Sequence, residues 1–152
     1  MKSIIIYYSK SGRTEKIAKR LLKDTGSDII QVKPKKEYGN YAAAVARVVR
    51  EKIMRIRPAF INSIPDLSEY DTVFIGYPIW ASAPPAFMCA FLRQCDLKDK
   101  TVIPFATSGM TNISSTLVKL KESCRGCTIK YPYNHSNRKK DDYDEWKAQF
   151  IK

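Results

Sequence analysis

Three short segments carry residue types that could hold a flat, anionic small molecule, and each follows an apolar run. Ser9-Lys10-Ser11-Gly12-Arg13-Thr14 offers hydroxyls, backbone amides and two cations directly ahead of a helical pattern. Such an array at a helix N-terminus is a donor cradle for phosphate. Serine and glycine are also ordinary cap and turn residues at such a junction. The spacing is neither GxxxxGK[ST] nor GxGxxG, which argues against a Walker-type NTPase and against the usual dinucleotide fingerprint. Tyr77-Pro78-Ile79-Trp80-Ala81-Ser82-Ala83-Pro84-Pro85 sets a tryptophan in a proline-bounded loop, off any apolar stripe. A planar ring on a stiff loop is a platform for another planar ring; a surface tryptophan packed on a proline is the plainer alternative. Thr107-Ser108-Gly109-Met110-Thr111 supplies small residues that let backbone approach a flat ligand, and hydroxyls that could bond its polar edge.

The thiols and the lone imidazole fit catalysis less well. Cys124 and Cys127 form a CxxC, but His135 is the only histidine, so zinc would lack ligands. A redox CxxC normally opens a helix, where the positive dipole end lowers the thiol pKa. Here Lys119-Leu120-Lys121 and Gly126 mark a helix C-terminus, with the opposite field. The thiols read as structural, and no side chain is assigned as acid, base or nucleophile.

These segments need elements to position them. Residues 3–8, 73–77 and 102–106 are continuously apolar or aromatic, as suits strands covered on both faces. Pro104 stands against a central strand, because proline removes a ladder donor. Residues 28–33 suit an outer strand, and 128–133 a thinner fifth one. Phe87, Met88, Phe91, Leu92 and Cys95 make a helical stripe whose first turn tolerates Pro84 and Pro85. Ile17, Ala18, Leu21 and Leu22 repeat it, with Gly26 closing the helix. A second helix over 42–57 carries Val45, Val49, Ile53 and Ile56 on one side and stops at Pro58. A fourth runs from 114 or 115 to 123. The last begins at an Asp142 N-cap with Glu145 three positions on, burying Tyr143, Trp146 and Phe150. Strands alternating with helices predict a doubly wound α/β domain spanning 1–152, with ligands beyond the strand C-termini.

Composition bounds the function more loosely. No segment reaches the roughly 20 apolar residues of a membrane-spanning helix. The apolar stretch after Lys2 ends at Tyr8, too early for a secretory signal, so the expectation is a cytoplasmic protein with reduced thiols. Twenty-seven lysines and arginines against 15 acids give a net charge of +12. Such a field attracts nucleotides, nucleic acid, acidic lipids or an acidic protein. Arg47, Arg50, Lys52, Arg55 and Arg57 could meet nucleic-acid phosphates, yet no nucleic-acid module is present and a solvated helix face is favoured. A membrane-surface role for that helix is disfavoured because the sheet needs its apolar side.

Gly76-Tyr77-Pro78-Ile79-Trp80, together with Tyr38, Tyr41, the 68–71 segment and Ile103-Pro104-Phe105-Ala106-Thr107-Ser108-Gly109, resembles the flavodoxin family. The resemblance covers roughly residues 1–125 and extends to the Trp146 helix. It implies a five-stranded parallel sheet of order 2-1-3-4-5 with helices on both faces, and FMN as cofactor. By that resemblance Ser9, Ser11, Gly12, Arg13 and Thr14 would hold the FMN phosphate. Tyr77, Pro78, Ile79, Trp80 and Ala81 would border the ribityl chain and ring, and Thr107, Ser108 and Gly109 would bond its opposite edge. The chain departs from the family at Ala81-Ser82 and at Met110. The implied function is electron transfer through flavin; this chain's positive charge, opposite in sign to many acidic carriers of that family, then calls for a protein partner bearing an acidic face, or for a small-molecule acceptor. An NAD(P)H-dependent oxidoreductase acting on a quinone or similar acceptor is the alternative, and a basic binding module without FMN a third reading.

Overall fold

The computed structural model describes residues 2–55 and 59–151, the side chain of Tyr41 excepted. In chain order the strands are β1 (Ser3–Tyr7), β2 (Asp28–Gln31), β3 (Thr72–Pro78), β4 (Thr101–Ser108), β5 (Thr128–Ile129) and β6 (Tyr133–Ser136). The helices are α1 (Arg13–Thr25), α2 (Tyr41–Ile53), α3 (Ala86–Gln94), α4 (Leu117–Ser123), which continues a 3-10 turn over Ile113–Thr116, and α5 (Tyr143–Lys147). The sheet runs β2-β1-β3-β4, with β5 and β6 both beside β4, and every strand pair is parallel.

Residues of β1, β3 and β4 are buried on both sides of the sheet, which is why these strands are continuously apolar. Ile4, Ile6, Val73, Ile75 and Val102 face one core with Phe87, Met88, Phe91 and Leu120. Ile5, Tyr7, Phe74, Ile103 and Phe105 face the other with Ile17, Leu21 and Trp146. The helices therefore cover both faces, α2, α3 and α4 on one and α1 and α5 on the other.

The fifth position of the sheet is occupied by two short pieces rather than by one strand over 128–133. Thr101 lies opposite Thr128, whereas Phe105 lies opposite Tyr133, so four steps along β4 match five along its neighbour. The extra residue makes a bulge at 130–132, where Tyr131 has φ 51 and Pro132 follows. This bulge explains Pro104. Lys130 and Thr128 donate their N–H groups to the carbonyls of Val102 and Lys100, so the even-numbered residues of β4 address the fifth position. The amide that Pro104 lacks would have pointed at the bulge, where no ladder partner is required.

The predicted α1 and α3 stripes are buried, and Gly26 closes α1 in the left-handed region with its N–H on the Leu22 carbonyl. At α5 the cap differs from the expectation: Asp142 makes no side-chain cap, and Asp141 Oδ1 accepts from the Tyr143 N–H. α2 differs more. Val45 and Val49 are each 45% exposed and Ile53 is 76% exposed. The side facing the sheet carries Ala44, Val48 and Glu51 instead, so the apolar stripe read from the sequence faces outward. Ile56, Arg57 and Pro58, expected to end this helix, lie outside the described residues. Among the described residues no helix is long and apolar enough to cross a membrane.

Candidate functional site

Because the strands are parallel, their C-terminal ends share one edge, and the segments following β1, β3 and β4 emerge there together. Cross-links hold them in place. The hydroxyls of Thr14 and Thr107 lie 2.8 Å apart, the Ile79 N–H donates to the Thr107 carbonyl at 2.9 Å, and the Tyr8 N–H donates to the Gly76 carbonyl at 3.0 Å.

The segment after β1 leaves a helix N-terminus open. Gly12 caps α1 with φ 89, a conformation that only glycine adopts without strain, and makes no side-chain cap. Its own N–H donates to Ser9 Oγ at 3.0 Å. The first-turn amides of α1 have no acceptors within the helix, and the dipole adds positive potential. Lys10, Ser11 and Arg13 are exposed around this end, and the acid of the first turn, Glu15, is paired with Lys19 at 2.8 Å. Thr14 is placed otherwise than expected of a phosphate ligand. It is 1% exposed, and its hydroxyl is taken by Thr107, so its side chain joins two loops.

The segment after β3 turns tightly. Trp80 and Ala83 exchange backbone hydrogen bonds of 2.9 and 3.1 Å, and between them Ala81 and Ser82 have φ 50 and 59. Two consecutive left-handed residues make a turn of the primed type. Lys52 Nζ donates to the Ala81 carbonyl at 2.9 Å, tying the turn to α2. The Trp80 ring meets Tyr8 edge-on at 5.6 Å and Tyr38 at 4.7 Å and 61°. Upstream, Gly76 is fixed by packing, since a Cβ there would lie 2.2 Å from the Phe105 ring.

Tyr38, from the connection between β2 and α2, brings a fourth segment to this edge. Its hydroxyl donates to Glu51 Oε2 at 2.9 Å, and Arg47 Nε donates to Glu51 Oε1 at 2.7 Å. The Arg47 guanidinium lies 3.8 Å over the Tyr38 ring, and Lys10 Nζ donates to the Tyr38 carbonyl at 3.1 Å. Glu51 is 7% exposed, so this is a buried carboxylate with both oxygens engaged. Burial, then the Glu51 bond, raises the Tyr38 phenol, and burial raises that of Tyr8. Both phenols stay neutral at physiological pH. The Tyr8 hydroxyl is buried and has no hydrogen-bond partner among the described residues.

In the segment after β4 the hydroxyls expected to meet a ligand are engaged within the protein. Thr107 bonds Thr14, Ser108 Oγ donates to the Thr111 carbonyl, and Ser136 Oγ donates to the Gly109 carbonyl. The space over Gly109 is open, as a Cβ added there would meet nothing within 4 Å. Pro78, Ile79 and Trp80 are half-buried, Tyr77 is buried with its hydroxyl 2.7 Å from that of Thr116, and Ala81 is exposed. The edge thus combines an anion-ready helix terminus with an aromatic rack.

The cysteines lie elsewhere. Cys124 ends α4, the Cys127 N–H donates to its carbonyl at 3.3 Å, and both are buried beside the start of β5, at the opposite edge of the sheet. The bond with Cys124, and after it the Lys121 charge, lower the Cys127 thiol against the opposing effect of burial. Burial pushes Cys95 up to about 12. Among the described residues no cluster of three histidine, cysteine or acidic side chains could hold a metal ion.

Comparison with known proteins follows the same outline. The sequence model of the flavodoxin family matches residues 2–150. A solved structure from Bacteroides uniformis, named as a flavoprotein, is 29% identical with a TM-score of 0.83, covering 95% of this chain and 96% of that one. A second, from Bacteroides eggerthii, is 28% identical with a TM-score of 0.83, covering 99% and 98%. A flavoprotein from Lactobacillus acidophilus, solved in complex with FMN, is 23% identical with a TM-score of 0.76 over 95% and 97%. No curated protein matches the sequence.

Proposed function

The chain belongs to the flavodoxin family, an FMN-binding family, and from that premise we propose that it transfers electrons through FMN seated at the C-terminal edge of its sheet. The observation that carries this reading is the meeting of two features at that edge, the open α1 N-terminus at Gly12 and the Trp80 rack on Tyr8 and Tyr38. The residues present fit the group. The amides of α1's first turn, with Ser11 and Arg13, would take the phosphate, Pro78 to Ala81 would border the ring, and the open backbone at Gly109 would leave room for its polar edge. When bound, FMN supplies the electron chemistry through its ring. The protein's part would be to hold it and to set the charge around it. No side chain needs to give or take a proton, in keeping with the neutral Tyr8 and Tyr38 phenols.

Adding FMN to the purified protein and desalting tests this directly: a yellow product with quenched Trp80 fluorescence is expected, and a colourless one refutes it. Ser11→Ala should weaken FMN more than riboflavin, whereas Thr14→Val should chiefly lower stability, by about 1–2 kcal/mol, through the lost Thr107 bond. Equal losses for both ligands on Ser11→Ala would refute the phosphate assignment. The net charge of +12 favours a second reading, in which nicotinamide nucleotide phosphates are drawn to the surface and a quinone is reduced. Steady turnover with NADPH would support it.

A further inference from the structure

We propose that the exposed face of α2 is the docking surface for a redox protein that presents an apolar patch ringed by aspartate and glutamate. The inference rests on the electron-transfer reading above. Val45, Val49 and Ile53 recur every four residues and are 45%, 45% and 76% exposed, and Ala42 and Ala46 beside them are exposed as well. Three aliphatics in a row on an outward helix face have no use in this fold's own core, which α2 meets through Ala44 and Val48.

Charge selects the occupant. Arg50, Lys52 and Arg55 flank the stripe and are exposed, while the single acid between residues 40 and 55, Glu51, is buried and bonded to Tyr38 and Arg47. The rim that α2 itself contributes around the apolar centre is therefore cationic, complementary to an acidic rim on the partner. A second copy of this chain would set the same cations, Arg50, Lys52 and Arg55, against one another. A lipid surface is the poorer fit, because interfacial helices anchor through tryptophan, phenylalanine or leucine and this stripe holds only valine, isoleucine and alanine.

Position and size agree with that choice. Lys52 reaches the Ala81 carbonyl, so the rim of the stripe is continuous with the turn after Trp80. A partner on α2 thus sits beside the proposed cofactor. A 13-residue helix is about 20 Å long at 1.5 Å per residue, the scale of the small interfaces that transient redox encounters use rather than of a permanent dimer.

The test uses the full chain, loaded with FMN, and a plant-type [2Fe–2S] ferredoxin as an acidic probe at low ionic strength. In a titration followed by amide NMR, the perturbed residues are expected to cluster in 42–53 and 80–82. V45S/V49S/I53S, confined to exposed positions, should weaken the complex about tenfold or more. Raised salt should weaken it as well. Absence of binding, perturbation confined to other surfaces, or a triple variant of undiminished affinity would overturn the assignment. So would sedimentation with phosphatidylserine vesicles, or a dimer in solution, that the triple variant loses. Flavin retention is read on the same samples. Docking without retained flavin would defeat the electron-transfer reading and leave the surface standing, whereas retained flavin without docking would defeat the surface alone.

Discussion

Ala81 and Ser82 hold the turn after Trp80 in a left-handed backbone, φ 50 and 59, that asparagine and glycine adopt at less cost. Replacing them as A81N/S82G should raise stability by about 0.5–1 kcal/mol, the strain relieved less the entropy that glycine adds to the unfolded chain. A higher denaturant midpoint at unchanged slope would register it; a lower midpoint would mean that the turn's own side chains contribute more than its backbone costs. Gly76 presents the reverse case. Its missing Cβ is space already filled by Phe105, at 2.2 Å, so Gly76→Ala should destabilise by about 3 kcal/mol. F105L should restore part of the loss, and a G76A protein as stable as the parent would contradict the packing argument. The glycine in Gly-Tyr-Pro-x-Trp is thus a matter of strand packing, while the tryptophan packs on Tyr8 and Tyr38.

At the level of elements, the anchoring of α5 is electrostatic on one side and aromatic on the other. Tyr143 Oη donates to Asp24 at 2.9 Å, Lys147 lies 3.2 Å from the same carboxylate, and Trp146 stacks on Tyr133 with centroids 4.6 Å apart. The Tyr143 bond and then Lys147 hold the Asp24 carboxyl below its ordinary value. A carboxyl depressed in the folded state stabilises above its unfolded pKa of about 3.9, and that contribution fades as pH falls through the lower folded value. Asp24→Asn should therefore destabilise at pH 7, with the gap to the parent closing below about pH 4; denaturant melts across pH would reveal a constant gap if the argument fails. The central strands β1, β3 and β4 and the helices α1 and α3 were legible in the sequence because burial on both sides, or on one stripe, writes itself as apolar period. α2 was not. Its inward side carries Glu51, satisfied by Tyr38 and Arg47, and a buried ion pair leaves no mark in hydropathy. For the same reason Tyr38 and Tyr8 were not legible as the support of Trp80, although all the loops that meet at the edge except Tyr38's were. The broken fifth strand escaped because one bulge residue changes register without changing composition.

Over the whole molecule the net charge of +12 works against compactness as well as toward partners. Raising ionic strength from about 0.01 to 0.15 M shortens the screening length from about 30 to 8 Å, so the thermal midpoint should rise with added sodium chloride. A midpoint that falls would show that attractive pairs, such as Arg20 with Asp141 at 2.8 Å, outweigh the repulsion. The two borders of the sheet bear on the same question of what this protein does in company. One is β2, four residues long and opening on an exposed aspartate. The other is β5 and β6, two and four residues, set out of step by Tyr131 and Pro132. Neither offers the long, flat row of free amides and carbonyls on which a neighbouring chain could zip. The bulge that accommodates Pro104 thereby also interrupts the row along which such a pairing would have to run.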